Sequence, residues 1–169
     1  CGYEANGGFL LASPLEINGK TIAPLPTRDA VLPMLAVLAG ARVQACTVSA
    51  LLAALPGRFT HSDRLQNFPT ELSRVQLGAL QTGTLAEQFR SVEALLGVFA
   101  GPVQALDAKD GLRVTFKSDE VIHLRPSGNA PELRCYTEAA TPERAEELNK
   151  LAMQVMATWR LDTSMELDQ

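Results

Sequence analysis

Four strand-like runs, "PVQALD", "LRVTF", "VIHLR" and "ELRCYTEA", succeed one another between residues 102 and 139, and this succession most constrains the fold. Asp110-Gly111 and the "KSDE" stretch supply turns between the first three, so the runs pair as sequential hairpins. On "ELRCYTEA" alternation sends Leu133, Cys135 and Thr137 to one side and Arg134, Tyr136 and Glu138 to the other. One face is therefore apolar, which makes Cys135 a core residue and not a nucleophile. Helices are expected from about Glu71 to Gln81, around Leu85 to Leu96, and over "TPERAEELNKLAMQVMATWR". The last begins with Thr141 as N-cap and Pro142 at the first helical position, with Glu143, Glu146 and Glu147 near its positive end. Helices with one apolar stripe covering an antiparallel sheet on one face define an α+β layer. The other face is free to look into a cleft.

The residues before this layer read differently. "FLLAS" is a short strand after the Gly7-Gly8 turn, and "EINGKTIAPLP" is a loop turning at Asn18-Gly19. Asp29 caps a helix, "AVLPMLAVLAGA", whose apolar residues nearly encircle it, as expected of a buried helix. Pro33 falls in its first turn, where a missing N–H is tolerated. A second short helix, "TVSALLAAL", starts from Thr47 or Ser49 and stops before Pro56-Gly57. The periodicity changes at Pro56 to Arg58 into the extended "FTHSDRLQNF". Two domains are expected, an incomplete α/β segment over 1–57 and the sheet domain over 58–169.

With 169 residues, 46% of them hydrophobic and 20% charged, the chain is long enough to bury a sizeable core. The net charge of −4 excludes nucleic-acid binding through bulk charge, so any anion site must be local. No apolar run is long enough to span a bilayer and no signal-like segment opens the chain, which reads as cytoplasmic with no membrane partner. Cys1, Cys46 and Cys135 lack CxxC spacing and are expected to be reduced thiols. An opening "CGYEANGG" without Met would also suit a mature lipoprotein; with no lipobox in view, a truncated chain is expected.

Between the last two strands lies "RPSGNAPELR". Arg125 can fork to two phosphate oxygens, Ser127 can donate a hydroxyl proton, Gly128 lets the backbone approach, and Asn129 adds an amide. Pro126 and Pro131 stiffen the shoulders, reducing the entropy lost when a ligand orders the loop. Arg134 emerges on the cleft-facing side of the next strand. The pattern suits an anion cradle, and equally a surface turn, since Ser, Gly, Asn and Pro are all turn formers. A second candidate is "GYEANGG", where Glu4 and Asn6 could hold the hydroxyls of a polyol. A glycine-rich turn with a solvated Glu is its alternative.

"RPSGNAPELRCYTEA" resembles the signature of the last domain of the α-D-phosphohexomutases, in which an Arg-x-Ser-Gly-Thr/Asn-x-Pro loop grips the phosphate of a sugar phosphate. The resemblance implies that Arg125, Ser127, Gly128 and Asn129 bind substrate phosphate, with Arg134 an addition. Ala130 stands where many members carry Glu. The family's Gly-Glu-x-Ser-Gly sugar-recognition loop is matched by Glu4, Asn6 and Gly7, although Tyr3 replaces the usual first Gly and Asn6 replaces Ser. "LPTRDAVLPML" and "RFTHSDRLQNFPTE" are similar to segments of the bacterial phosphomannomutases. The fold implied is a TBP-like sheet domain preceded by the end of the third of four domains.

The family reaction interconverts 1-phospho and 6-phospho hexoses through a phosphoserine and a bisphosphate. Its phosphoserine loop, Thr-x-Ser-His-Asn-Pro, and its magnesium loop, Asp-Gly-Asp-Gly-Asp-Arg, do not occur in this sequence. No catalytic residue and no metal or other cofactor is therefore expected in the chain, and Mg2+ would be bound elsewhere in the parent enzyme. In "THSDR", His61, Ser62 and Asp63 are neighbours on an extended segment and point to opposite faces, against a catalytic set. "DAKDG", with Asp107 and Asp110, is a hairpin and not a metal loop. His123 is assigned no role, and Trp159 is core at helical spacing from Val155 and Met156. The expected partner is a hexose phosphate, with self-association of the chain through uncovered apolar surface. Two alternatives remain: a non-enzymatic sugar-phosphate or nucleic-acid binding module, and a mutase acting on glucose or glucosamine phosphate.

Overall fold

The computed structural model describes residues 1–3, 8–25 and 27–166, with side chains as far as Arg160. They form two compact units, Cys1–Pro56 and Gly57–Gln169.

In the first unit, β1 (Gly2–Tyr3) and β2 (Phe9–Leu10) pair antiparallel, as do β3 (Leu15–Ile17) and β4 (Lys20–Ile22). The segment expected to be a loop is thus a hairpin. Asn18 and Gly19 both take positive φ, 51° and 72°, the combination a two-residue turn needs to match the twist of its strands. Helix α1 (Val31–Val43) starts where Asp29 accepts from the Val31 N–H at 2.7 Å, and α2 (Val48–Ala53) starts where the Thr47 hydroxyl accepts from Ala50 N–H at 3.1 Å. The expectation that α1 is buried is corrected. Only Ala41 on it is buried, while Val31, Met34, Leu35, Leu38 and Val43 are exposed. The two short hairpins offer no broad apolar face against which such a helix could pack.

The second unit is built on one five-stranded antiparallel sheet in the order β5-β9-β8-β7-β6. The four hairpin-connected strands are β6 (Val103–Asp107), β7 (Leu112–Phe116), β8 (Val121–Pro126) and β9 (Glu132–Ala139). The extended segment β5 (Phe59–Gln66) pairs with β9 along its full length and becomes the far edge. Helices α3 (Thr70–Leu80), α4 (Leu85–Ala100) and α5 (Pro142–Glu166) pack against the strands.

Alternation decides which side chains meet them. Leu112, Val114, Phe116, Ile122, Leu124, Leu133 and Cys135 are buried in one core with Leu77, Val92, Leu96, Leu148, Met156 and Trp159. Each fully buried Leu, Ile or Phe contributes about 1.5–3 kcal/mol relative to exposure. Buried polar groups on this face find partners. The Thr137 hydroxyl donates to the Ala145 carbonyl at 2.7 Å, and the Asn149 amide donates to the Cys135 carbonyl at 3.0 Å, pinning α5 to β9. Helix α4 opens with a reciprocal cap in which Thr84 and Glu87 satisfy each other's backbone N–H groups. At α5 the Thr141 hydroxyl accepts from Arg144 N–H at 3.2 Å. The Arg144 side chain then reaches Glu120, Glu147 and the Phe99 carbonyl, and Glu120 first and Glu147 second hold its guanidinium charged.

Candidate functional site

The face of the sheet away from the core carries polar side chains in register. Arg64, Arg134 and Arg125 lie directly opposite one another on β5, β9 and β8, and Ser62, Tyr136, His123 and Arg113 form the next row. Like charges placed opposite each other destabilise a sheet unless counterions intervene. Glu132 supplies one, 3.6 Å from Arg64 Nε and 3.3 Å from Arg134 Nη2. Glu138 does the same one row over for Arg58 and Arg113. Tyr136 first and Glu132 after it raise the Arg134 pKa, against a lowering by desolvation, so this side chain stays cationic.

At the β8–β9 connection the loop 126–131 forms one wall of a cleft of about 570 Å³, with Thr70, Arg74, Lys109 and Asp110 on the others. The loop is held by its own backbone. Ser127 N–H donates to the Glu132 carbonyl at 2.8 Å, and Glu132 N–H donates to Ala130 at 2.8 Å. Asn129 N–H points to the Ser127 hydroxyl at 3.5 Å, and Ser127 is only 6% exposed. A Cβ added at Gly128 would meet no protein atom within 4 Å, so packing does not demand glycine there. The open space beside it is available to a ligand.

Ser127, Gly128 and Asn129 therefore share one cleft. Arg125 is tied to it indirectly, with Nε 2.9 Å from both carboxylate oxygens of Asp110, which lines the same cleft. Arg134 lies elsewhere, in a shallow depression of about 320 Å³ with Ser62, Asp63, Arg64 and Tyr136. The structure places it in register with Arg125 but does not bring it to the loop. Glu4 and Asn6 lie outside the described residues.

The remaining sequence candidates resolve into structural positions. Ser62 pairs with Tyr136, and His61 and Asp63 with Thr137 and Cys135; Asp63 borders the same depression as Ser62, while alternation along β5 turns His61 away from it. Cys135 is wholly buried, and burial first, with Asp63 adding, pushes its thiol up to about 12. Asp107 accepts from Lys109 N–H, which closes the β6–β7 turn, and among the described residues no group of three His, Cys, Asp or Glu is placed to hold a metal. Among the described residues no helix is long and apolar enough to cross a membrane. Asp110 is the site residue that sequence reasoning missed. An Asp-Gly pair announces only a turn, and nothing local says which strand the carboxylate will meet.

A five-stranded antiparallel sheet covered on one face by helices, with a donor-rich loop and arginines in register toward the other, defines the class as an α+β sheet domain with a polar open face. Residues 74–155 match the model of the phosphoglucomutase/phosphomannomutase C-terminal domain, and the sheet unit that contains them belongs to that domain family. It is similar to a phosphomannomutase of Salmonella muenchen, 44% identical over 146 residues, and to one of Sinorhizobium fredii, 38% identical over 149 residues. These alignments take in 85% and 87% of this chain but 29% and 30% of the relatives, so the chain spans under a third of their length.

Proposed function

We propose that this chain is the carboxy-terminal part of a phosphohexomutase acting on mannose phosphate, with residues 1–57 the end of the third domain and 58–169 the fourth. The parent reaction would pass a phosphoryl group from a phosphoserine to the sugar phosphate and recover the other phosphoryl from the bisphosphate. The role of this chain is to hold. Ser127, the Gly128 backbone and Asn129 would receive the phosphate not being transferred, with Arg125 forking to it, and Glu4 with Asn6 would read ring hydroxyls. Remote binding of this kind orients the reacting end and contributes binding energy to it. The magnesium of that reaction would neutralise phosphoryl charge. Asp107 and Asp110 are engaged by groups of this chain and do not form a ligand set, so its ligands are expected on other domains.

The observation that carries this reading is the cleft wall 126–131: a nearly buried serine hydroxyl and an unobstructed glycine side by side, on a domain of this family. The apolar surface of α1 supports the incomplete-domain reading and the self-association that would go with it. Of the alternatives, a nucleic-acid binding module is disfavoured by the net charge of −4.

Titration of the chain with mannose 6-phosphate, beside Arg125→Ala, tests the clamp. Removing a charge-assisted partner of a phosphate should weaken binding by about tenfold or more, at roughly 1.5–3 kcal/mol for such a bond. Equal affinities would remove the assignment. The same preparation should show no mutase turnover; measurable turnover would place the nucleophile within these residues and overturn the division of labour.

A further inference from the structure

The tip of the β6–β7 hairpin is locked onto the strand that leads into the phosphate loop. Gly111 has φ of +83°, and a Cβ there would stand 2.2 Å from the Leu124 carbonyl oxygen and 3.0 Å from Arg125 Cα. Only glycine fits that approach. Beside it the His123 ring donates from Nε2 to the Asp110 carbonyl at 2.6 Å, since a carbonyl can only accept. Two independent contacts thus fix the Asp110 backbone against β8. The Asp110 backbone is thereby kept at the cleft wall by contacts that do not involve the Arg125 side chain.

Two anions then want one guanidinium. Asp110 occupies Arg125 Nε, and a phosphate in the cleft formed with loop 126–131 would draw the same side chain. The pair is accessible, with the side chains of Arg125 and Asp110 43% and 61% exposed, and exposed ion pairs contribute only about 0.2–1 kcal/mol. Transfer of Arg125 to a dianion therefore costs little. The carboxylate left behind repels the bound phosphate.

We propose that Asp110 is a competing latch on Arg125, a residue that sets how weakly and how briefly the clamp holds phosphate. This rests on the clamp reading above. It suits that chemistry, because a site that must receive each phosphate of one bisphosphate in turn works only if it lets go.

The test is a four-way titration of the full chain with inorganic phosphate at neutral pH: wild type, Asp110→Asn, Arg125→Ala and the double variant. Asparagine keeps the size of the side chain and the backbone carbonyl that His123 uses, and an unchanged melting temperature confirms that the hairpin stays in place. Asp110→Asn is expected to tighten phosphate binding by roughly two- to fivefold. The gain should vanish in the Arg125→Ala background, and the Arg125 Nε resonance should shift in Asp110→Asn before any phosphate is added. Unchanged or weaker binding by Asp110→Asn overturns the latch while leaving the clamp intact. So does a gain that persists without Arg125, which would make Asp110 a general field effect. If Arg125→Ala binds like wild type, the clamp reading falls and the latch falls with it.

Discussion

The two units of this chain share a composition rich in Leu, Val and Ala, yet only one of them has used it to build an interior. In Gly57–Gln169 strands and helices close over a continuous core, from Phe68 through Ile122 and Leu133 to Trp159. In Cys1–Pro56 the buried hydrophobic residues are Leu11 and Ala41 among the described residues, while Met34, Leu35, Leu38, Leu52 and Leu55 face outward. Hydrophobicity alone does not make a core. A helix can shed its apolar surface only onto a layer wide enough to receive it, and hairpins of two and three residues are not.

The contrast can be broken most directly by truncating one large side chain in each unit. Ile122→Ala should cost about 2–5 kcal/mol, because Ile122 is wholly buried and its neighbours close only partly on the cavity. Leu38→Ala, at a position 57% exposed in the single chain, should stay within about 0.5 kcal/mol in solutions dilute enough to keep the chain from self-associating. Denaturant melts of the two variants decide it; comparable losses would mean that α1 is covered in solution, by another copy of the chain or by the neighbouring unit.

A narrower comparison sets two glycines of the sheet unit against each other. Gly111→Ala puts a methyl into the Leu124 carbonyl at a positive φ and should destabilise by about 1–3 kcal/mol or more. Gly128→Ala meets nothing in the protein, and its stability should stay within about 0.5 kcal/mol of wild type while phosphate affinity falls. Thermal melts read beside phosphate titrations separate the two. If Gly128→Ala binds as wild type, the open space at that position is not where the ligand sits.

What the sequence made legible follows the range of the interactions. The alternation of β9 and the cap of α5 are written in adjacent residues, Leu133 to Thr137 and Thr141 to Pro142, and both stand as expected. Partnerships across the chain are not. Nothing in "FTHSDRLQNF" says that it will pair with residues 132–139, and this pairing is what aligns Arg64 with Arg134. The proposed clamp residues 127–129 are legible because they are contiguous. Asp110 was hidden because its meaning depends on Arg125, which the β7 and β8 strands bring beside it. The burial of α1 was misjudged for a related reason: an all-round apolar helix reports a need for cover, not its presence.

The smallest expected difference concerns the helix starts. In the sheet unit α4 opens with Glu87 bonded to the Thr84 N–H and hydroxyl, and these two bonds, backbone first, hold the Glu87 carboxyl below its ordinary 4.5. In the other unit α2 is capped by Thr47 alone, with Ala50 where a reciprocal carboxylate would stand. A depressed folded pKa means that the unfolded chain takes up the proton more readily. Stability from Glu87 is therefore fully present above about 4.5 and is lost as the pH falls through the lower folded value. Glu87→Gln keeps an oxygen for the Thr84 N–H but cannot titrate. Melting temperatures of the two proteins should differ slightly at neutral pH and converge as Glu87 becomes protonated, whereas Thr47→Ala should lower stability by an amount that stays level over the same acid range. A wild-type curve parallel to that of Glu87→Gln would mean that the cap is already formed in the unfolded ensemble, and that the contrast between the units ends at their cores.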